Sequence, residues 1–217
     1  MKRVVVIAST GGGVLGEVLR IPKCRELIST VVSDRECGAL RMAREHAIPV
    51  CTIPSIDGAI FSQGLHELYG GHDVGLFISF YTRIFSGRFL DEFEGRILNF
   101  HPALLPGFPG LDGFGDTIRS GCRFIGSTVH YVDAGIDTGQ PLIQGVTPYN
   151  PNLSTEENRH KIFIQHCRMF IQLLAWYREE RLVEGRIDGA TFDSHEFCPA
   201  LDDPVAKAWP ELDGGEP

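Results

Sequence analysis

The sequence predicts an α/β fold, a doubly wound, mostly parallel sheet flanked by helices. Three observations carry this. Short apolar runs rich in β-branched residues recur, as strands buried on both faces require. Segments with helical signals separate them, giving β-α-β-α alternation. Polar side chains able to do chemistry stand at the ends of the runs, where open α/β sheets bind ligands.

Residues 4–7 form the first such run, followed by the turn Gly11-Gly12-Gly13 and a helix through Leu19. Residues 30–33 read as the second strand and 38–46 as a helix that ends before Pro49. A third strand is expected at 50–53, a helix near 60–68, a fourth strand at 75–79, a short helix at 89–93 and a fifth strand at 96–100. Residues 102–112 hold three prolines and two glycines and read as an irregular loop. Strands at 126–132 and 140–146 enclose the turn Asp133-Ala-Gly-Ile-Asp-Thr-Gly139. Ser154-Thr-Glu-Glu157 is a capping box that opens a long helix to about Arg181, with Ile162, Ile164, Phe170, Leu173, Leu174 and Tyr177 as its apolar faces. From Val183 the chain becomes polar and proline-containing. One domain over 1–182 and an extension over 183–217, disordered at 213–217, are therefore expected.

The 217 residues suffice for one α/β domain with a full core. A net charge of −8 argues against a nucleic-acid partner, since such proteins present a basic face. Six cysteines without CxxC spacing point to reduced thiols and no metal site. The first apolar run is too short for a signal-peptide core or a membrane span, so a cytoplasmic protein without a membrane partner is expected.

Two groups of residues carry chemistry. Gly11-Gly-Gly13-Val-Leu-Gly16 satisfies G-x-G-x-x-G after a strand, and Asp34 stands where a ribose-binding acid would follow. That pattern allows an NAD(P)-dependent oxidoreductase; by itself it specifies only an anion site or a tight turn that binds nothing. The second group is Asn99, His101, His130 and Asp137, at or near the ends of strands. Each alone has a structural explanation. Together they can polarise a carbonyl, stabilise an oxyanion and manage a proton.

The stretch Arg96-Ile-Leu-Asn-Phe-His-Pro-Ala-Leu-Leu-Pro106, with Gly126-Ser-Thr-Val-His130 and Gly135-Ile-Asp-Thr-Gly139, resembles the folate-dependent formyltransferase family. The resemblance is strongest over residues 76–144 and looser over 1–182. It implies a Rossmann-like formyltransferase fold and transfer of a formyl group from 10-formyltetrahydrofolate to a primary amine. The amine implied first is phosphoribosylglycinamide, as in purine biosynthesis; another small amine, such as an amino sugar, comes next.

By resemblance, Asn99 and a protonated His101 stabilise the oxyanion. Asp137 keeps His101 charged and relays a proton, and His130 positions the group. Backbone around Arg83, Ile84 and Phe85 holds the folate, with Ile78, Leu90 and Ile97 as walls and Val132, Asp133 and Gly135 in the facing turn. Gly11, Gly12 and Gly13 hold an acceptor phosphate.

The chain departs from the family pattern at several places. Val14 and Leu15 replace polar residues in the glycine loop, and Ser79, Phe80 and Thr82 differ in the folate segment. Asp112 replaces a histidine, and Gln165-His166-Cys167 lacks the acid that contacts a ribose. No metal and no covalent enzyme intermediate is implied, and a homodimer is left open. A formyltetrahydrofolate hydrolase shares the Asn, His and Asp but carries a regulatory domain before the first strand, and methionyl-tRNA formyltransferases carry an RNA-binding domain after the last helix; both rank lower. A folate-binding protein without catalysis is a further alternative.

Overall fold

The structure, a computed structural model, describes residues 3–183 and 185–210. The elements are β1 (Arg3–Ala8), α1 (Gly13–Leu19), α2 (Pro22–Arg25), β2 (Ile28–Ser33), α3 (Gly38–Glu45), β3 (Val50–Thr52), α4 (Gly58–Tyr69), β4 (Val74–Phe80), α5 (Gly87–Glu92) and β5 (Ile97–His101). They continue as α6 (Gly113–Arg119), β6 (Phe124–Tyr131), β7 (Pro141–Pro148), α7 (Thr155–Arg178), β8 (Leu182–Val183), β9 (Arg186–Ile187), β10 (Phe197–Cys198) and α8 (Pro204–Ala208).

The main sheet has eight strands in the order β10-β7-β6-β5-β4-β1-β2-β3. β1 runs parallel to both β2 and β4, β3 parallel to β2, and β5 parallel to β4. The chain therefore winds outward from β1 in one direction and returns through β4 in the other, which puts the switch point at the carboxyl ends of β1 and β4. The mostly parallel, doubly wound sheet flanked by helices matches the sequence expectation. The chain groups into two compact units: one runs up to Phe100 and includes His130–Gln140, the other holds His101–Val129 and the chain from Pro141 onward.

In the first unit the core is aromatic. Phe77 of β4 is fully buried, with ring centroids 5.5 Å from Tyr69, 5.1 Å from Phe89 and 4.8 Å from Phe93. Phe61, Leu65 and Tyr69 reach this cluster from one face of α4 through four-residue spacing.

In the second unit α7 supplies the core through Ile162, Met169, Phe170, Leu173, Leu174 and Trp176. Its capping box forms as the sequence predicts, with Ser154 Oγ accepting from Glu157 N and the Glu157 carboxylate accepting from Ser154 N. Ser154→Ala is expected to lower stability by about 1 kcal/mol, read as a lower denaturant midpoint with unchanged slope; an unmoved midpoint would refute it.

Several elements depart from expectation. The loop read at 102–112 gives way directly to α6, because Asp112 caps it, accepting from Gly115 N at 3.2 Å, and Arg119 bridges back to Asp112 at 2.8 Å and Asp116 at 2.5 Å. Arg119 also holds the Asp112 carboxyl below its usual range. The chain beyond Val183 is more ordered than its composition suggests: β8 and β9 form a hairpin, and β10 joins the main sheet antiparallel to β7 in the register Phe197↔Gly145. The Asp203 carboxylate caps α8, accepting from Val205 N and Ala206 N, and Pro204 starts the helix. The expected disorder at 213–217 lies outside the described residues.

Candidate active site

In the first unit, β5 pairs with β4 in the register Ser79↔Asn99, which sets Asn99 at the carboxyl edge of the parallel strands. Val132 N donates to Ile97 O at 2.9 Å and brings the chain from His130 alongside β5. His130 is buried. Its Nδ1–H donates to Tyr131 O at 2.8 Å. In the neutral ring Nε2 therefore carries the lone pair, and Asn99 Nδ2 donates to it at 3.2 Å. This fixes the orientation of the Asn99 amide, whose nitrogen carries a second N–H. Asp137 Oδ1 lies 3.4 Å from the same Nε2, with its side chain 15% exposed. A proton taken up at Nε2 would face that carboxylate. The ring thus has two states: neutral and accepting from Asn99, or charged and paired with Asp137.

The turn that carries Asp137 is built by its own residues. Asp133 Oδ1 accepts from Gly135 N at 3.0 Å and from Thr138 Oγ1 at 2.7 Å. Asp137 adopts a left-handed φ of 53°, tolerated by Asp better than by most residues. Gly139 has no room for a side chain, because a Cβ there would run into Tyr131 O.

In the second unit His101 is buried, and its Nε2–H donates to Phe108 O at 2.8 Å. At Gly113, a Cβ would lie 2.5 Å from His101 Nε2 and 2.8 Å from Phe108 O. His166 of α7 hydrogen-bonds the His101 backbone, and burial pushes its imidazole down to about 4, so it is neutral at pH 7. Gln165 beside it accepts from Ser127 Oγ at 2.8 Å. Reading the segment only for a missing acid overlooked His166. Its signal was a polar residue inside the apolar stripe of residues 162, 166, 170 and 173.

Gly113→Ala separates two effects. Helix propensity favours alanine by about 1 kcal/mol, while its methyl displaces the His101 ring. The expected outcome is retained helicity with turnover reduced roughly tenfold or more; wild-type turnover would show that the ring position does not matter.

The residues expected to hold a folate divide. Ile78, Leu90, Ile97 and Phe85 are buried, and Phe85 stacks on Tyr81 at 5.2 Å as part of the core. Val132 packs at the margin of that core. Ile84 is 51% exposed, and Asp133 and Gly135 are exposed on the turn. The Arg83 guanidinium pairs with Asp34.

Asp34, the acid that suggested a ribose contact, has a side chain 0% exposed, against Arg83 and with Arg35 Nε at 3.1 Å. The pairing with two arginines gives the carboxylate a charge role inside the protein, although among the described residues its Oδ1 accepts no hydrogen bond. The glycine loop likewise has a packing reason. Gly12 has φ 77°, and a Cβ on it would collide with Ala39, whose N–H donates to Thr10 O at 3.2 Å. Gly11 and Gly13 remain exposed.

Among the described residues no group of three or more His, Cys, Asp or Glu could hold a metal ion. Among them, too, no helix is long and apolar enough to cross a membrane.

The phosphoribosylglycinamide formyltransferase of Mycobacterium tuberculosis (strain CDC 1551 / Oshkosh) is 35% identical over 181 residues, covering 80% of this chain and 83% of that protein. The solved structure of glycinamide ribonucleotide transformylase 1 from Symbiobacterium toebii is 31% identical, with a TM-score of 0.76, covering 86% of this chain and 93% of the other. A formyltetrahydrofolate deformylase from Pseudomonas putida KT2440 shares the fold at 22% identity and a TM-score of 0.70, covering 86% of this chain and 69% of the other. Residues 2–174 match the family described as formyl transferase. With most of its length inside that match, the chain belongs to the formyl transferase family.

Proposed function

We propose that the protein transfers the formyl group of 10-formyltetrahydrofolate to the primary amine of phosphoribosylglycinamide, in the cytoplasm. The observation that carries this reading is Asn99 hydrogen-bonded to His130, with the Asp137 carboxylate 3.4 Å from the same ring nitrogen, at the carboxyl edge of the sheet, in a chain of this family. Relatives named for that reaction support the choice of amine.

The amine nitrogen attacks the formyl carbon, and negative charge builds on the formyl oxygen. The second N–H of the Asn99 amide, oriented by the neutral His130 ring before the attack, is the donor for that oxygen. The family resemblance makes the His101 imidazole the second stabilising group. The attacking nitrogen must lose a proton, and the folate nitrogen must gain one before the carbon–nitrogen bond breaks. The His130–Asp137 pair holds that proton in the interval, Asp137 stabilising the charged ring. The backbone of the segment around Arg83, Ile84 and Phe85 and the turn at Val132, Asp133 and Gly135 bind the pterin, and Gly11 and Gly13 take the acceptor phosphate. No step calls on a metal.

The test is loss of 10-formyltetrahydrofolate, followed by absorbance with and without phosphoribosylglycinamide. Turnover only with that amine supports the reading. Turnover without any amine would make the protein a hydrolase, and absence of folate binding would overturn the reading altogether.

A further inference from the structure

The mechanism leaves the most deeply buried acid of the first unit, Asp34, without a task. A carboxylate with a 0% exposed side chain is costly to bury unless it is paired and hydrogen-bonded. Asp34 meets the Arg83 guanidinium on one oxygen and Arg35 Nε, at 3.1 Å, on the other. Arg35 is its chain neighbour, so that pair fixes nothing distant. Arg83 lies 49 residues away in sequence.

Arg83 sits in the middle of the segment that follows β4, and this segment is held at each end by a serine hydroxyl. Ser79 Oγ accepts from Tyr81 N at 3.2 Å. Ser62 Oγ accepts from Ser86 N at 3.1 Å and itself donates to Gly58 O at 2.7 Å. Beneath, the Tyr81 ring lies 4.7 Å from Phe61 and 5.2 Å from Phe85. The turn between these anchors carries Arg83 and the exposed Ile84, and among the described residues its charged tether is the bond to Asp34.

We infer that Asp34 is a positioning residue: acting through Arg83, it holds the segment from Phe80 to Ser86 in the shape that binds the pterin-bearing substrate, and so sets the affinity for it. The inference rests on the proposed formyl-transfer reading. It assigns the G-x-G-x-x-G-plus-acid pattern of the sequence a different meaning. The acid at the end of β2 organises the folate side of the site from within the protein and contacts no ligand.

The experiment compares the wild type with Asp34→Asn, Arg83→Gln and the double variant, using titration calorimetry with a non-reactive folate analogue and steady-state kinetics in both substrates. Expected are a rise of about tenfold or more in the Kd of the analogue and in KM for the formyl donor, with KM for the amine unchanged. Because both residues act through one bond, the double variant should be no worse than the worse single. A folded Asp34→Asn with wild-type Kd and KM overturns the inference. So does an equal loss in kcat and in both KM values, which marks a merely structural ion pair. If Asp34→Asn does not fold, Arg83→Gln decides by the same readouts, since its side chain reaches the surface. A wild-type protein that binds no folate analogue overturns the formyl-transfer reading and this inference together; a wild type that binds, with variants that bind equally, overturns this inference alone.

Discussion

Asn99→Ala is expected to lower kcat for formyl transfer at least ~100-fold, the usual loss for one oxyanion donor, while leaving the fold intact. The site contains its reason. The Asn99 amide bonds His130 Nε2 with one N–H and offers the other to the reacting oxygen. Alanine removes both and frees the His130 ring to pair with Asp137 alone. Asn99 is only partly buried at a strand end, so no core cavity opens. The effect belongs to the transition state, so kcat should fall with little change in either KM. Asp137→Asn should give a loss of similar size, because an amide cannot stabilise a charged His130. Circular dichroism establishes folding and single-turnover kinetics the chemical step; near-normal turnover in either variant would sink the assignment.

The second large effect is on stability. Phe77→Ala is expected to destabilise the protein by about 3–5 kcal/mol, as for other buried Phe truncations. The ring is fully buried and makes near-perpendicular contacts with Tyr69 and Phe89 at 5.5 and 5.1 Å, and such aromatic pairs add roughly 0.5–1.5 kcal/mol each beyond area burial. Its ring neighbours come from two helices, α4 and the end of α5, and cannot collapse together into the space. Urea denaturation gives the difference directly; a loss below about 1 kcal/mol would mean the cluster repacks.

Much of this was legible in the residues. The five parallel strands and the capping box at Ser154 follow from apolar runs and cap chemistry, all properties of short stretches of chain, and the family resemblance singled out Asn99, His101, His130 and Asp137 as the candidate site. Other elements were not. β10 is two residues long and exists because β7 offers an edge to pair with. α6 begins in a stretch punctuated by proline and glycine, and the Arg119 bridges to Asp112 and Asp116 hold its ends together.

Partnership was the least legible property. By resemblance the sequence linked Asp137 with His101; that His130 Nε2 also lies 3.4 Å from the Asp137 carboxylate is visible only in the structure. The rival dinucleotide reading would set Asp34 beside a ribose, and the structure closes it against Arg83. By itself the sequence determined the fold class, the register of apolar and polar positions, and which side chains are chemically able to act. These depend on local periodicity and residue chemistry, which do not change when distant segments meet. Only the tertiary structure decided which acid faces which base and which glycines are forced by close approach, as at Gly12 against Ala39 and Gly113 against His101. Those outcomes depend on distances of a few ångströms between segments far apart in the chain, and no local pattern encodes them.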